Sequence, residues 1–526
     1  MSGAQANLLD LNLAWRRVKH DIPDRIFIRH PFEVAIIEQD LAGWITGLAA
    51  SIRNDSFNPG SAFIADVPKG KGAVRPGAHL SMADRVVYAA CVGACLDHIH
   101  HHLAPSQGTM DFSYRFRSDP ANPEWLQSRF GGWQEFRTRS IQKIDEGSSF
   151  VVLADITAYY ENVDLNLLIS DLRQINAPND ILALLRSCLE RWAQVPGRGI
   201  PQGQSPSDIL GKLYLNNVDQ NLRAMGYTHF RYVDDIRIFC RTQVEAKKAL
   251  VDLTKLLRKR GLNLQSAKSE IHRADTARQI IEGVLPILMS VRHNFIREVV
   301  ALLGPGNPYL SLTDAEEMLA GSAENTPIAL IREAYQAYFI DSGDANFDKT
   351  LFRFLLKRLG AQSDGFAVDH SSTLFEKHPE EGQAVLGYFK AVGAAASVET
   401  SITAFLNSPE AVYPYQKYQI IEWFNSLEHS PSAELLDTAR RLAFDGSQPP
   451  YLRSVCRQLV GNHGTPADLE RMEAEYADAR NAIEQCEITC SLRRMETSRR
   501  NAFLRRTEGD GFLNRNAVRL VRSAGA

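Results

Sequence analysis

The stretch HFRYVDDIRIFC, residues 229–240, sets two aspartates side by side between two short apolar runs. Both flanks are rich in β-branched and aromatic residues, so each reads as a strand and the pair as the tip of a β-hairpin. Like charges about 4 Å apart repel by roughly 1 kcal/mol in water and several times that beside an apolar surface. The arrangement becomes favourable when the carboxylates share divalent cations. Two metal ions roughly 4 Å apart can bind the attacking and leaving oxygens of an in-line phosphoryl displacement. Magnesium takes a few carboxylates and completes its shell with substrate phosphates. A bare Asp234-Asp235 tip therefore predicts a third carboxylate on a neighbouring strand. Asp155 fits, because it ends the apolar run FVVLAD, 79 residues before Asp234. Taken singly, the Asp pair would be an ordinary turn and Asp155 a strand-end or cap residue; the weight comes from their conjunction.

Around these residues the first half alternates strand-like and helix-like segments. FVVLADITAYY (150–160) and FRYVDDIRIFC (230–240) are strand candidates. NLLISDLRQI, DILALLRSCLERWAQV and VEAKKALVDLTKLLRKRG read as helices, the last closing on Lys/Arg and Gly. MADRVVYAACVGACLDHIHHHL reads as one long helix. Past about residue 295 the strand signals fade into short amphipathic helices joined by Pro, Gly, Asp and Ser turns. Pro-Tyr opens a helix at 414 and again at 450, a period of 36 that suits helical repeats. The expected organisation is α+β over 1–295, an all-α helical-repeat domain over 296–490 with a Gly/Pro break at ALLGPGNPY (301–309), and an Arg-rich tail over 491–526.

Composition removes several classes. The chain has 526 residues, enough for about three domains. No apolar stretch reaches spanning length and the N-terminus lacks a secretory pattern, so a cytoplasmic protein without membrane contact is expected. Seven cysteines without a framework spacing suggest reduced, buried thiols. A net charge of −3 is not that of a duplex-coating protein, so nucleic-acid contact must come from local patches. The segment from Ser491 supplies one, with nine arginines against three acids, read equally as a solvated helix or as a phosphate-binding surface. HIHHH (98–102) sits at a helix end, where protonated imidazole suits the dipole. No nearby Cys or acid completes a zinc ligand set.

The ordered set of Asp155 with Tyr159-Tyr160, GIPQGQSPS (199–207), Tyr-Val-Asp-Asp (232–235) and GLNLQSAKSEI (261–271) resembles the palm of reverse transcriptases. VPKGKGAVRPG and ADRVVYAAC (67–91) resemble their fingers, and AWRRVKHD (14–21) the N-terminal segment of bacterial members. The resemblance covers about 1–290. It implies a right-hand fingers-palm fold with two Mg2+ ions. Asp155 and Asp234 would be metal ligands, Asp235 their acidic partner, and the Ile156 carbonyl would complete one site. Tyr160 stands where the family places an aromatic steric gate against the 2′-hydroxyl, whereas Tyr159 reads as a core aromatic. Gln202-Gly203 would let the backbone approach the nucleotide. Lys69 and Arg75 would hold the triphosphate, with Lys71 as a substitute for Lys69, and Lys268 would assist the leaving pyrophosphate.

A ribonuclease H set, a zinc-type endonuclease motif and the retron Asn-Ala-x-x-His and Val-Thr-Gly segments are not found. A helical domain directly after the palm resembles the bacterial abortive-infection and defence-associated (Abi-like, DRT) reverse transcriptases. That likeness implies antiviral defence, a homo-oligomer, dNTP substrates and a single-stranded DNA product. Synthesis would be untemplated and protein-primed, or would copy a partner non-coding RNA; a non-catalytic nucleic-acid-binding defence scaffold is the alternative. The chain departs from the self-priming pattern, since no tyrosine precedes Tyr88. The cluster Tyr413, Tyr415 and Tyr418 reads as helix packing.

Overall fold

Six strands lie among the described residues: β1 (Phe63–Lys69), β2 (Ala73–His79), β3 (Phe150–Ala154), β4 (Thr228–Tyr232), β5 (Asp235–Cys240) and β6 (Glu270–Arg273). β1 and β2 form a hairpin; the other four form one antiparallel sheet in the order β4-β5-β3-β6. The computed structural model describes residues 8–23, 26–70, 72–117, 119, 121–127, 129–282, 328–342 and 347–524. They divide into two units. One holds the described residues up to Arg29 with Asp40–Ala65 and Pro76–Glu282; the other holds His30–Gln39, Asp66–Arg75 and the described residues beyond 327. The expected junction at 295/296, and the Gly/Pro break at 301–309, lie outside the described residues.

In the first unit, strand alternation splits side chains between two faces of the sheet. Val151, Phe230 and Phe239 face one way and join Phe112, Phe136, Ile144, Ala277 and Ile281 in a buried cluster under the helices Arg129–Asp145 and Ala274–Glu282. The opposite face, with Val152, Ile236 and Ile238, packs against the helices Ser205–Ala224 and Gln243–Lys259. Helix Gln243–Lys259 forms where the sequence signals it. Thr242 caps it by accepting from the Glu245 N–H at 3.1 Å, and Ala246, Ala249, Leu253, Leu256 and Leu257 fill its buried stripe. Gly261 ends it at φ +72°, a conformation that favours glycine.

Two local expectations fail. The segment 82–103 is not one helix but two, Met82–Ala94 and Leu96–Leu103, because the Cys95 N–H turns back to Val92 at 3.1 Å and breaks the register. The strand in 150–160 stops at Ala154. Ala158 takes φ +46° and turns the chain into the short helix Tyr159–Asn162.

In the second unit every regular element beyond residue 327 is helical among the described residues, and Pro-Tyr opens the helices Pro414–Asn425 and Pro450–His463. Helix packs on helix one to three places along the chain. Tyr415 and Tyr418 are buried there, as packing predicts. The Arg-rich segment is the packed helices Thr497–Thr507 and Phe512–Ala524, which bury Phe503, Leu504, Val518 and Val521. Helix Glu33–Glu38 packs on Phe512–Ala524, and His30 pairs with Glu487. All seven cysteines are free and buried. Among the described residues no helix is long and apolar enough to cross a membrane.

Candidate active site

Tyr232 pairs with Asp235, so the β4–β5 loop is only Val233 and Asp234. A two-residue hairpin needs a positive φ at a central position, which glycine or asparagine supplies most easily. Here Val233 takes φ +56°. A β-branched residue in that region costs on the order of 1–3 kcal/mol and persists only when its surroundings hold it. The Arg231 guanidinium does so, donating from Nη1 to the Val233 carbonyl at 3.0 Å.

Asp155 follows β3 directly. The register pairs Ala154 with Ile236, so one step further carries Asp155 opposite Asp235 on the same face of the sheet. Its backbone is fixed from the other side. The Asp155 carbonyl accepts from the Gln265 N–H at 2.8 Å, Ile156 bridges to Leu264, and the Thr157 N–H donates to Asn263 at 2.9 Å. The three carboxylates feel one another. Burial first, then the charges of Asp234 and Asp155, push the Asp235 carboxyl up to about 7. Lys268, on the turn Ser266–Lys268, reaches Asp155 Oδ2 at 3.2 Å with its ammonium largely in solvent.

The aromatic pair separates into two roles. Tyr159 is buried and donates to the Gly211 carbonyl at 2.5 Å; Tyr160 is half-buried and donates to Asp208 Oδ1 at 2.8 Å. Burial and the Asp208 carboxylate push the Tyr160 hydroxyl well above its ordinary range, so it stays protonated and keeps that bond. Both partners lie on helix Ser205–Ala224, which therefore fixes the ring planes. Just before that helix, Gly203 sits at φ +92°, which its lack of a Cβ permits. The Gln202 carbonyl accepts from the Ala78 N–H at 3.2 Å.

Lys69 and Arg75 are described apart from the triad. They lie on the β1–β2 hairpin in the stretch 66–75, which belongs to the second unit. There an added Cβ on Gly70 would come within 2.8 Å of Glu380. Lys71 lies outside the described residues.

The donor set fits a hard divalent cation: oxygen ligands only, with Asp235 under like-charge pressure that a cation would relieve. Among the described residues no group of three or more Asp, Glu, His and Cys side chains stands close enough together to hold a metal ion by itself. An ion here would complete its shell with water and phosphate oxygens, as magnesium does.

The sequence reading missed the charges beneath the hairpin. Arg231, Asp111, Asp219 and Lys212 are all buried, and Arg231 bonds both aspartates at 2.7 Å. Burial works against the charged form of Asp219, but Arg231 and His229 outweigh it and hold that carboxyl well below the usual range. The available signal was an arginine in the middle of the largely buried strand THFRY.

Residues 67–293 match the family described as reverse transcriptase (RNA-dependent DNA polymerase). The chain thus carries an RNA-directed DNA polymerase domain, and the three aspartates lie within it. No curated protein matches. Among solved structures the chain is similar to apo telomerase from Candida Tropicalis truncated from its C-terminal domain, at 14% identity, 40% of this chain, 50% of that one and a TM-score of 0.31. It is also similar to apo telomerase from Candida Tropicalis, at 12% identity, 74% of this chain, 73% of that one and a TM-score of 0.34. A partial Cas6-RT-Cas1-Cas2 complex is similar at 19% identity, 47% and 40% coverage and a TM-score of 0.28. The chain spans half the length of the first of these. At such TM-scores no residue role passes from them to this chain.

Proposed function

We propose that the reverse transcriptase domain at 67–293 synthesises DNA from dNTPs by two-metal nucleotidyl transfer, and that the chain serves antiviral defence in the manner of the bacterial abortive-infection group. The observation that carries the reading is the register that sets Asp155 opposite Asp235 at the end of the sheet, beside the Asp234 turn. Asp155, Asp234 and the Ile156 carbonyl would hold two Mg2+, which supply charge stabilisation to the attacking 3′-oxygen and the leaving pyrophosphate.

The chain's own groups do the rest. Asp235 tunes the charge of the site. Tyr160, anchored on Asp208, presents its ring edge under the sugar and leaves no room for a 2′-hydroxyl. Gln202 and Gly203 bring backbone close to the base pair. Lys268 is placed to shift from Asp155 to a phosphate oxygen once nucleotide arrives, because its present pair is solvent-exposed and weak. Lys69 and Arg75 hold the triphosphate. The helical half acts as a repeat-like platform for homo-oligomer assembly and for a non-coding RNA.

Purified protein incubated with Mg2+ and labelled dNTPs, with and without co-purified RNA, tests this. Incorporation is expected to vanish in Asp234→Ala and Asp235→Ala; label that persists in both removes the assignment. Product sequencing then separates the two modes. Homopolymer or random sequence means untemplated synthesis, whereas one defined complement means copying of an RNA, which the RNA-dependent character of the matched family favours. Phage protection that survives the Asp234→Ala change would instead support a scaffold role.

A further inference from the structure

We infer that Arg231 is a positioning residue: its buried guanidinium grips the Val233 carbonyl and so sets where the Asp234 carboxylate stands.

The argument begins with an excess of buried charge. Arg231, Lys212, Asp111 and Asp219 each expose about 1% of their side chains. Well-packed apolar residues of the same volume would generally be as stable or more so, which leaves fold stability a poor reason for the quartet. The geometry offers another. Arg231 uses all three of its nitrogens: Nε and Nη2 on Asp219 at 3.0 and 2.7 Å, Nη2 also on Asp111 at 2.7 Å, and Nη1 on the Val233 carbonyl at 3.0 Å. The first bonds fix the plane of the guanidinium; the last transmits that plane to the turn. The turn needs the hold, because Val233 lies at φ +56° with a branched Cβ.

The anchors are themselves fixed. Asp111 accepts from the Ser113 N–H at 2.9 Å and hydroxyl at 2.6 Å, and is neutralised by Lys212 at 3.1 Å. Its backbone closes the free edge of β4: the Arg231 N–H donates to Met110 at 2.7 Å and the Phe112 N–H donates to Arg231 at 2.9 Å. Asp219 and Lys212 ride on helix Ser205–Ala224, seven residues apart and so on one face. The same helix carries Gly211 and Asp208, which accept from Tyr159 and Tyr160. One helix therefore registers both the turn that holds Asp234 and the aromatic pair that follows Asp155.

The inference rests on the reading of Asp234 as a functional carboxylate, so its test has readouts that need no catalysis. Arg231→Met with Asp219→Leu removes one charge of each sign and leaves Asp111 paired with Lys212. In metal-free protein, amide hydrogen exchange across 232–235 is expected to quicken at least tenfold while the rest of the sheet is unchanged. Mn2+ binding read by electron paramagnetic resonance in the presence of a non-incorporable dNTP analogue should weaken about tenfold. Adding Val233→Gly, which makes the positive φ cheap, should recover most of both losses, a rescue that a merely structural role would not produce. If the double variant fails to fold, Arg231→Lys decides, with the same exchange readout and a lower kcat at unchanged dNTP KM expected. Wild-type exchange at the turn in a variant that has lost the clamp, or no recovery from Val233→Gly, overturns the inference. Altered turn exchange with unaltered Mn2+ binding would keep the clamp and overturn the metal reading of Asp234 instead.

Discussion

Asp235→Asn keeps the shape of the triad and removes one of its charges. In the folded chain the Asp235 carboxyl sits at about 7 against an ordinary 3.8. A raised carboxyl binds its proton more tightly when folded, so its stabilising effect is complete at low pH and is lost as pH rises through 7. With these two values the cost of the folded carboxylate is about 1.5 kcal/mol at pH 5 and about 4 kcal/mol at pH 8. In metal-free buffer the wild-type chain should therefore lose about 2.5 kcal/mol between pH 5 and pH 8 that Asp235→Asn does not. In a unit of this size that is roughly 5–10 °C in midpoint. Urea unfolding of both proteins at the two pH values measures the difference directly, since titrating groups away from the triad cancel between them. Mg2+ added at pH 8 should return stability to the wild type and little to the variant. Equal pH dependence in wild type and variant would refute the idea that three carboxylates press on one another at the end of this sheet.

Tyr160→Ala should raise the ratio of ribonucleotide to deoxynucleotide incorporation at least tenfold, whereas Tyr160→Phe, which keeps the ring and loses the hydroxyl bonded to Asp208, should leave the ratio near wild type; competition assays with labelled rNTP and dNTP read both. Lys268→Ala should change stability by less than about 1 kcal/mol, as expected for an exposed ion pair, yet slow incorporation, so a thermal melt beside single-turnover kinetics separates the two effects. Gly203→Ala places a Cβ at φ +92°, and should cost about 1–2 kcal/mol and raise the dNTP KM, checked by denaturant unfolding and steady-state kinetics.

What the residues declare locally, they declare well. Alternating branched and aromatic side chains around Asp234-Asp235 dictate a hairpin because no other local structure buries one face of each run. Thr242 and Gly261 bracket a helix through capping and backbone freedom, and the prolines at 414 and 450 start helices because a first-turn position needs no N–H. Asp155 was legible as a candidate because a pair of bare carboxylates asks for a third. That it stands opposite Asp235 was decided by the β3–β5 register, a matter of which faces pack against which helices. The clamp of Arg231 on Asp111 and Asp219 belongs to the same class. So does the grouping of 66–75, with Lys69 and Arg75, in the helical unit. Each joins residues far apart in the chain, and such pairings are fixed only when the whole core closes and every buried polar group must find a partner.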